Sequence, residues 1–178
     1  FRLIEDVPIP DRLKPGDSAA DVFCEIMRLN PKIRNFSIKF YNPEDESSDD
    51  TTTEDIDNEE DGESKSSQAQ IWLPRQCANK DILKDISDVN FRESSGKNIL
   101  AVCSEVALEN GENMYIPMMD FVVEDTEDSR LLVGDMFRSS SGALLFSGHS
   151  FHFWGTKLMP WIKWYDTVEK YYNSESGR

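Results

Sequence analysis

The run from Ser139 to Gly155, SSSGALLFSGHSFHFWG, constrains the fold more than any other stretch of this chain. Two apolar segments, Ala143–Phe146 and Phe151–Trp154, flank the four residues 147–150, which read SGHS. A short connection of small residues with a glycine between two apolar segments is typical of a β-hairpin. The sequence therefore predicts two antiparallel strands, and it places both histidines of the chain in this hairpin.

The second predicted strand has one apolar and one polar face. Phe151 and Phe153 point to the first face, whereas Ser150, His152 and Trp154 share the second. A hydroxyl and an imidazole on one face, beside a glycine-containing turn, can hydrogen-bond the oxygens of a phosphate group. The alternative is a histidine that packs beside the tryptophan for structural reasons.

The turn itself adds Ser147 to this candidate phosphate-binding set, which is then Ser147, Ser150 and His152. His149 lies in the turn and points less predictably. A metal site shared by His149 and His152 is disfavoured, because residues three apart on a strand face opposite sides.

A single carboxylate interrupts the apolar run Met118–Val123 at Asp120. Burying an unpaired charge is costly, so we expect this carboxylate to be desolvated, paired or bound to a metal ion. The structural alternative is an aspartate that a neighbouring Lys, Arg or backbone amide satisfies. Strand alternation predicts that Glu124 lies on the same face as Asp120, beyond Val122.

The segment Glu44–Glu63 contains twelve acidic residues and no basic ones. The rest of the chain has 22 of the 34 acidic residues and all 19 basic ones, so its net charge is close to zero. The segment cannot bury enough apolar surface to offset its ordering entropy, and we predict a disordered acidic insertion over 43–68. The alternatives are a DNA-mimicking or a cation-collecting segment, although the spacing of a calcium loop is missing.

Helical and alternating patterns follow one another along the whole chain, without an internal repeat. They predict an α+β fold of mainly antiparallel hairpins with flanking helices, in a single domain over 1–178. The predicted elements are a helix from Asp17 or Ser18 to Asn30, strands 36–41 and 69–73, a helix over 79–89, strands 98–108 and 114–123, a helix over 126–137, the hairpin, and a helix over 158–172.

Composition and motifs narrow the function. Cys24, Cys77 and Cys103 are scattered and odd in number, which is typical of reduced thiols in an intracellular protein, so we expect a cytoplasmic location. No apolar run approaches the length of a membrane span, and we expect no membrane partner. The phosphate-cradling GxxxxGK[ST], the dinucleotide-binding GxGxxG and the nucleophile motif GxSxG are all missing.

The hairpin and the Asp120 segment together resemble the archaeo-eukaryotic primase superfamily, the primase-polymerases. Its members carry an hhhDhD-type motif (h is apolar), then a helix, then a hairpin close to S-G-x-G-[YFL]-H-h-h. Here SGHSFHFW over 147–154 lies on the hairpin signature, and MMDFV over 118–122 lies on the carboxylate motif. The resemblance covers about residues 98–172 and implies an RRM-like core.

The resemblance implies a metal-dependent nucleotidyltransferase of the DNA primase and polymerase kind, active with Mg²⁺ or Mn²⁺ on nucleotides or nucleic acid. Asp120 and His152 would be catalytic, Ser147, Ser150 and His152 would contact phosphates, and Asp120 would ligate the metal. The second motif carboxylate falls on Val122, so the chain is similar to a divergent member with one motif aspartate, and Glu124 is the nearest further candidate ligand. With so few carboxylates, the domain is expected to bind nucleotide without full polymerase activity.

A different class of function remains open. The predicted last helix is rich in aromatic residues, among them Trp161, Trp164 and Tyr165. Either this helix or the acidic insertion would then bind a protein partner in a non-enzymatic interaction module. Hydrolysis of phosphodiesters by Asp120 and His152 is the third alternative.

Overall fold

The computed structural model describes residues 1–4, 9–42, 70–93 and 98–175, the side chains of 90–93 and 171–175 excepted. Its elements are two four-stranded antiparallel sheets and four α-helices within these ranges, so the predicted α+β class is confirmed. In chain order they are β1 (Arg2–Leu3), α1 (Ala19–Leu29), β2 (Ile33–Tyr41), β3 (Ile71–Pro74), a 3₁₀ turn (Arg75–Cys77), α2 (Lys80–Glu93), β4 (Ile99–Leu108), β5 (Asn113–Tyr115), β6 (Met118–Phe121), α3 (Glu127–Phe137), β7 (Gly142–Phe146), β8 (Phe151–Gly155) and α4 (Trp161–Glu175).

Sheet A contains the predicted hairpin and has the strand order β1-β7-β8-β6. β7 and β8 pair from Gly142 opposite Gly155 to Phe146 opposite Phe151, so the hairpin is confirmed within one residue of its predicted bounds. The edge strand β1 was not predicted, because two residues are too short for an alternation pattern to appear in the sequence.

Sheet B has the order β3-β2-β4-β5. The two strands on either side of the acidic segment, which the sequence predicted as 36–41 and 69–73, pair with Phe36 opposite Leu73 and Ile38 opposite Ile71. The predicted insertion over 43–68 itself lies outside the described residues. The assignment of the chain to a single domain stays a prediction.

The segment 114–123, predicted as one strand, is divided between the two sheets. Tyr115 pairs with Glu105 in sheet B, whereas Met118 pairs with Trp154 in sheet A. Pro117 lies between them, and because proline has no N–H it cannot continue a ladder of hydrogen bonds. This crossing brings Asp120 into sheet A, next to the hairpin.

Each face of sheet A packs against a separate apolar cluster. On one face the ring of Phe153 stacks on Phe137 of α3, with centroids 4.0 Å apart and planes 7° apart. Leu145 on the other face joins the cluster of α1 and sheet B, which also contains Phe23 and Ile38. The polar face of β8 therefore looks toward the space between the two sheets.

Helix boundaries follow local chemistry. Ser18 caps α1 by accepting a hydrogen bond from the Asp21 backbone N–H, and Thr126 caps α3 in the same way. The sequence predicted both helices to start at these residues. The last helix begins at Trp161 rather than at residue 158, because Pro160 disfavours a helical conformation in the residue before it. None of the described helices combines the length and apolar character needed to cross a bilayer.

Candidate phosphate-binding site

Antiparallel pairing brings Asp120 and His152 together. The two residues are direct cross-strand partners of β6 and β8, so their side chains lie on the same face of sheet A. The Nδ1 atom of His152 is 3.2 Å from the Oδ1 atom of Asp120. A carboxylate and an imidazole that are 32 residues apart in the sequence therefore form one contact pair.

Ser150 extends this pair on the other side of the ring. Its Oγ lies 2.8 Å from the Nε2 atom of His152. The Ser150 hydroxyl can donate or accept, so the direction of this hydrogen bond follows the tautomer of the ring, while the Asp120 carboxylate lies beside the other ring nitrogen. Asp120, His152 and Ser150 thus form a continuous row of polar contacts, which we call the Asp-His-Ser chain.

Burial sets the charge of the ring. The His152 side chain is 16% exposed, whereas the Asp120 side chain is 56% exposed. Burial lowers the pKa of His152 below its usual value, and the Asp120 carboxylate opposes this only in part. The imidazole is thus neutral near pH 7. Of the three states expected for Asp120, desolvated, paired or bound to a metal ion, the structure shows it beside His152 with more than half of its side chain exposed.

Ser147 serves the turn. Gly148 has a φ of +98°, a conformation that side-chain-bearing residues rarely adopt, and it makes the tight reversal between β7 and β8 possible. The Ser147 hydroxyl accepts hydrogen bonds from the backbone N–H groups of Ser150, at 3.0 Å, and of His149, at 3.3 Å. Its predicted contact with a phosphate stays a prediction, and in the free protein its hydroxyl holds the turn in place.

Glu124 lies beyond the end of the strand that carries Asp120. β6 ends at Phe121, and the Val123 N–H donates to the Phe121 carbonyl at 3.0 Å, so the chain turns here. Strand alternation therefore does not extend to Glu124, and its role as a metal ligand stays a prediction. Within the described ranges, no three His, Cys, Asp or Glu side chains lie close enough together to hold a metal ion.

Phe1 is a neighbour of the site that the sequence did not reveal. Its ring meets the His152 ring edge to face, with centroids 4.4 Å apart and planes 68° apart. The contact arises because β1, which starts at the next residue, is the edge strand beside β7. The sequence around Phe1 contains no local pattern that predicts this contact.

A cavity of about 440 Å³ lies at the end of β7 that is remote from His152, and it is lined in part by Arg28, Arg138 and Ser139–Ser141. Both guanidinium groups already have carboxylate partners. Arg28 contacts Glu25 through two nitrogens, at 2.6 and 2.8 Å, and Arg138 contacts Asp135 at 2.7 Å. Because these charges are compensated, the cavity is less suited to an added phosphate than its size implies.

Comparison with known proteins gives one match. A family model described as AEP-like, archaeo-eukaryotic primase 1D-like, matches residues 79–171, just over half of the 178-residue chain. The matched range includes Asp120, the hairpin turn and His152. Neither a curated protein nor a solved structure matches the chain.

Proposed function

Because this chain belongs to the archaeo-eukaryotic primase 1D-like family, we propose that it binds the phosphate groups of a nucleotide or of a nucleic-acid end. The observation that carries the proposal is the Asp-His-Ser chain, in which His152 contacts Asp120 at 3.2 Å and Ser150 at 2.8 Å. Ser150 and His152 are the proposed phosphate contacts.

Phosphate binding at the Asp-His-Ser chain is coupled to protonation of the His152 ring. When the ring takes up a proton, Nε2–H donates to the Ser150 hydroxyl oxygen, and the Ser150 hydroxyl hydrogen is released to donate to an anion beside the charged ring. The Asp120 carboxylate on Nδ1 holds the ring in place and stabilises its positive charge. Hydrogen bonds between charged groups are roughly twice as strong as neutral ones, which favours a phosphate over a neutral ligand.

Asp120 is the proposed protein ligand of a Mg²⁺ or Mn²⁺ ion. Mg²⁺ is commonly held by one or two carboxylates together with substrate phosphates and waters. The exposed carboxylate of Asp120 suits an ion that arrives with a nucleotide triphosphate, and Glu124 is the sequence-based candidate for a second carboxylate. The donor set of the described residues does not suit a resident pair of ions, which needs more ligands.

The proposed activity follows from that donor set. A bound ion supplies charge neutralisation on the triphosphate, while His152 and Ser150 orient the phosphates. Asp120 and His152 are therefore the residues that carry any nucleotidyl transfer, as in a divergent primase with one motif aspartate. We expect nucleotide binding without full polymerase activity, since Val122 replaces the second motif carboxylate.

Thermal unfolding in the presence of a nucleoside triphosphate and Mn²⁺ tests the proposal. A ligand at about 100 times its Kd adds roughly 2.7 kcal/mol to the free energy of unfolding, which raises the Tm of a chain of this size by about 5 °C or more. The rise should disappear in His152→Ala. The absence of any shift with all four nucleotides, or an undiminished shift in His152→Ala, contradicts the proposal.

One observation favours a second function, an interaction module. The first turns of α4 expose Trp161, Ile162 and Tyr165, at 52%, 73% and 53% respectively. Exposed aromatic and aliphatic groups side by side are typical of protein-binding surfaces. The double substitution Trp161→Ala and Tyr165→Ala, and deletion of residues 44–63, should leave nucleotide binding intact if the primase-like assignment is right. An interaction module predicts no nucleotide binding to begin with.

A further inference from the structure

Polar side chains are connected across the face of sheet B that points away from the apolar core, which we call the outer face. Glu105 of β4 and Tyr115 of β5 are direct cross-strand partners, so their side chains lie on the same face. The next residue of β4, Val106, is buried in the core on the opposite face. Gln70, which precedes the edge strand β3, donates to the Ser37 hydroxyl at 2.6 Å and to Glu105 Oε2 at 3.2 Å. Side chains from both edges of the sheet therefore meet at Glu105.

The carboxylate of Glu105 has only uncharged hydrogen-bond donors. The Asn113 amide, at 2.9 Å, and the Tyr115 hydroxyl, at 3.3 Å, contact Oε1, whereas Gln70 contacts Oε2. Burial and the neighbouring carboxylate raise the pKa of the Tyr115 hydroxyl, so this group stays protonated and donates. A carboxylate has about four acceptor positions, so one remains on Oε2. In the part of the chain that the structure describes, no lysine or arginine forms an ion pair with Glu105, and its charge is available to a cation from another molecule.

Exposed tryptophan rings lie on both sides of this carboxylate. Trp72 of β3 is the cross-strand partner of Ser37 and is 40% exposed. Trp161, at the start of α4, is 52% exposed, and its ring contacts Tyr115 with centroids 5.2 Å apart. Because the strand order is β3-β2-β4-β5, three strand spacings, roughly 14 Å, separate Trp72 from Tyr115. The outer face thus presents a row with an acidic group at its centre and an exposed aromatic ring at each end.

This combination of groups matches the side chain of an arginine. A guanidinium group stacks on aromatic rings and donates a planar fork of hydrogen bonds to a carboxylate. A single strand of nucleic acid also stacks on exposed rings, but the Glu105 carboxylate repels its phosphates. The net charge of −15 on the chain favours the approach of a basic partner as well.

We propose that the outer face of sheet B binds an extended segment of a protein partner that has an arginine at its centre. The arginine contacts Glu105, and apolar residues on either side of it contact Trp72 and Trp161. An extended chain rises about 3.3 Å per residue, so a segment of roughly five to seven residues spans the row. The inference goes beyond the proposed function, since it involves neither Asp120 nor His152.

Selection from a random seven-residue peptide display library, with the whole chain as bait, tests the proposal. The wild type should enrich peptides that have an arginine with apolar residues on both sides. In calorimetry, an enriched peptide should bind about 10 to 100 times more weakly when citrulline, an uncharged analogue, replaces the arginine, because the charge-assisted hydrogen bond is lost. A selection that enriches no arginine, or equal affinities of the arginine and citrulline peptides, would overturn the proposal.

Variants of the outer face locate the bound peptide. Glu105→Gln should weaken the binding of the arginine peptide about 10- to 100-fold. Glu112→Gln is the matched control, because Glu112 is an exposed carboxylate in the turn between β4 and β5, and this variant should bind the peptide as the wild type does. Equal affinities in the wild type and Glu105→Gln, or equal losses in Glu105→Gln and Glu112→Gln, would exclude Glu105 as the arginine contact.

Trp72→Ala provides a second test in case Glu105→Gln does not fold, which circular dichroism shows. The loss of one exposed ring should weaken peptide binding about 5- to 30-fold, and Trp161→Ala should have a similar effect. Undiminished binding in both variants would overturn the proposal. Binding of inorganic tripolyphosphate should be unchanged in these variants, because the Asp-His-Ser chain is in sheet A. If the wild type does not bind tripolyphosphate, the proposed function fails and the peptide results still decide this inference.

Two other occupants of the outer face would give different results. A single-stranded oligonucleotide would bind through Trp72 and Trp161, and it would bind more tightly to Glu105→Gln because the repelling charge is gone. A second copy of the chain would appear in sedimentation as a concentration-dependent dimer that Trp161→Ala abolishes. Either result would overturn the assignment of this face to an arginine-containing segment of a partner.

Discussion

The imidazole of His152 lies directly across the strand pair from the carboxylate of Asp120, with Nδ1 3.2 Å from Oδ1. The contact uses one oxygen of an exposed carboxylate and one nitrogen of a largely buried ring. The other ring nitrogen, Nε2, lies 2.8 Å from the Ser150 hydroxyl oxygen. Most of the testable consequences of the structure follow from this arrangement.

Replacing His152 by Gln should weaken the binding of tripolyphosphate about 10- to 100-fold. The substitution removes a hydrogen bond to a charged ligand, which contributes roughly 1.5 to 3 kcal/mol. His149→Gln is the matched control, because it changes the other histidine of the same hairpin, which is exposed in the turn. Calorimetry measures both variants, and equal losses would mean that the imidazole of His152 has no special part.

Asp120→Asn should separate the metal from the phosphate. The variant should lose the increase in nucleotide affinity that Mn²⁺ provides, because the proposed protein ligand of the ion is gone. Binding of metal-free tripolyphosphate should change much less than Mn²⁺-dependent binding. Titrations with Mn²⁺ and with EDTA give the comparison, and an unchanged Mn²⁺ effect in Asp120→Asn would exclude this carboxylate as the ligand. Glu124→Gln, measured in parallel, tests the second candidate carboxylate.

The stability of the protein should fall as the pH drops below about 6.5. Burial lowers the pKa of His152 in the folded state relative to the ordinary value of 6.5. Between these two values the unfolded chain binds more protons than the folded one, so the free energy of unfolding decreases as the pH falls through this window and is constant again below it.

Chemical denaturation from pH 8 to pH 5 measures this dependence. The part of the pH dependence of the free energy of unfolding that disappears in His152→Gln and persists in His149→Gln comes from the buried ring of His152. If the two variants lose stability with pH to the same extent as the wild type, the folded-state pKa of His152 is not lowered.

Gly142→Ala should destabilise the hairpin by about 1 to 3 kcal/mol, the usual cost of forcing an extra group into a packed interior. A Cβ atom at this position would lie 2.4 Å from the Phe153 ring and 2.7 Å from the Trp154 carbonyl oxygen. Denaturant unfolding gives the difference in free energy. A loss below about 0.5 kcal/mol would show that β8 moves aside freely.

Gly111→Ala is the useful comparison for that variant. Its Cβ would meet nothing within 4 Å, and its cost comes only from a φ of +86°. The two glycines therefore separate steric overlap between strands from backbone strain in an exposed turn. Phosphate binding should weaken in Gly142→Ala alone, because only there does the substitution press on the strand that carries His152.

Much of the fold was predictable because its signals are local. Alternation and turn chemistry predicted β7 and β8, and helical patterns predicted α1 and α3 with starts at the residues that cap them. The segment 114–123 was predicted as one strand, and the structure divides it at Pro117. Each half joins a sheet through partner strands that are far away in the chain. The alternation of side chains along a strand carries no information about which strands those are.

The candidate site was predictable in part. The hairpin pattern indicated that His152 and Ser150 share a face, and the apolar run around Asp120 set that carboxylate apart. The contact between Asp120 and His152 depends on the register of β6 and β8, which makes these two residues direct cross-strand partners. The exposure of Asp120 and the neighbouring ring of Phe1 depend on edge strands and on the packing of separate elements, so no window of the sequence contained them.

The sequence by itself determined which residues alternate, where the turns fall, and that a serine and a histidine lie together on one strand. These follow from bonded geometry and side-chain periodicity within a few residues. Only the tertiary structure decided that Asp120 meets His152 and that burial keeps this ring neutral. Those properties depend on the distances between segments and on the solvent excluded when the two sheets pack together.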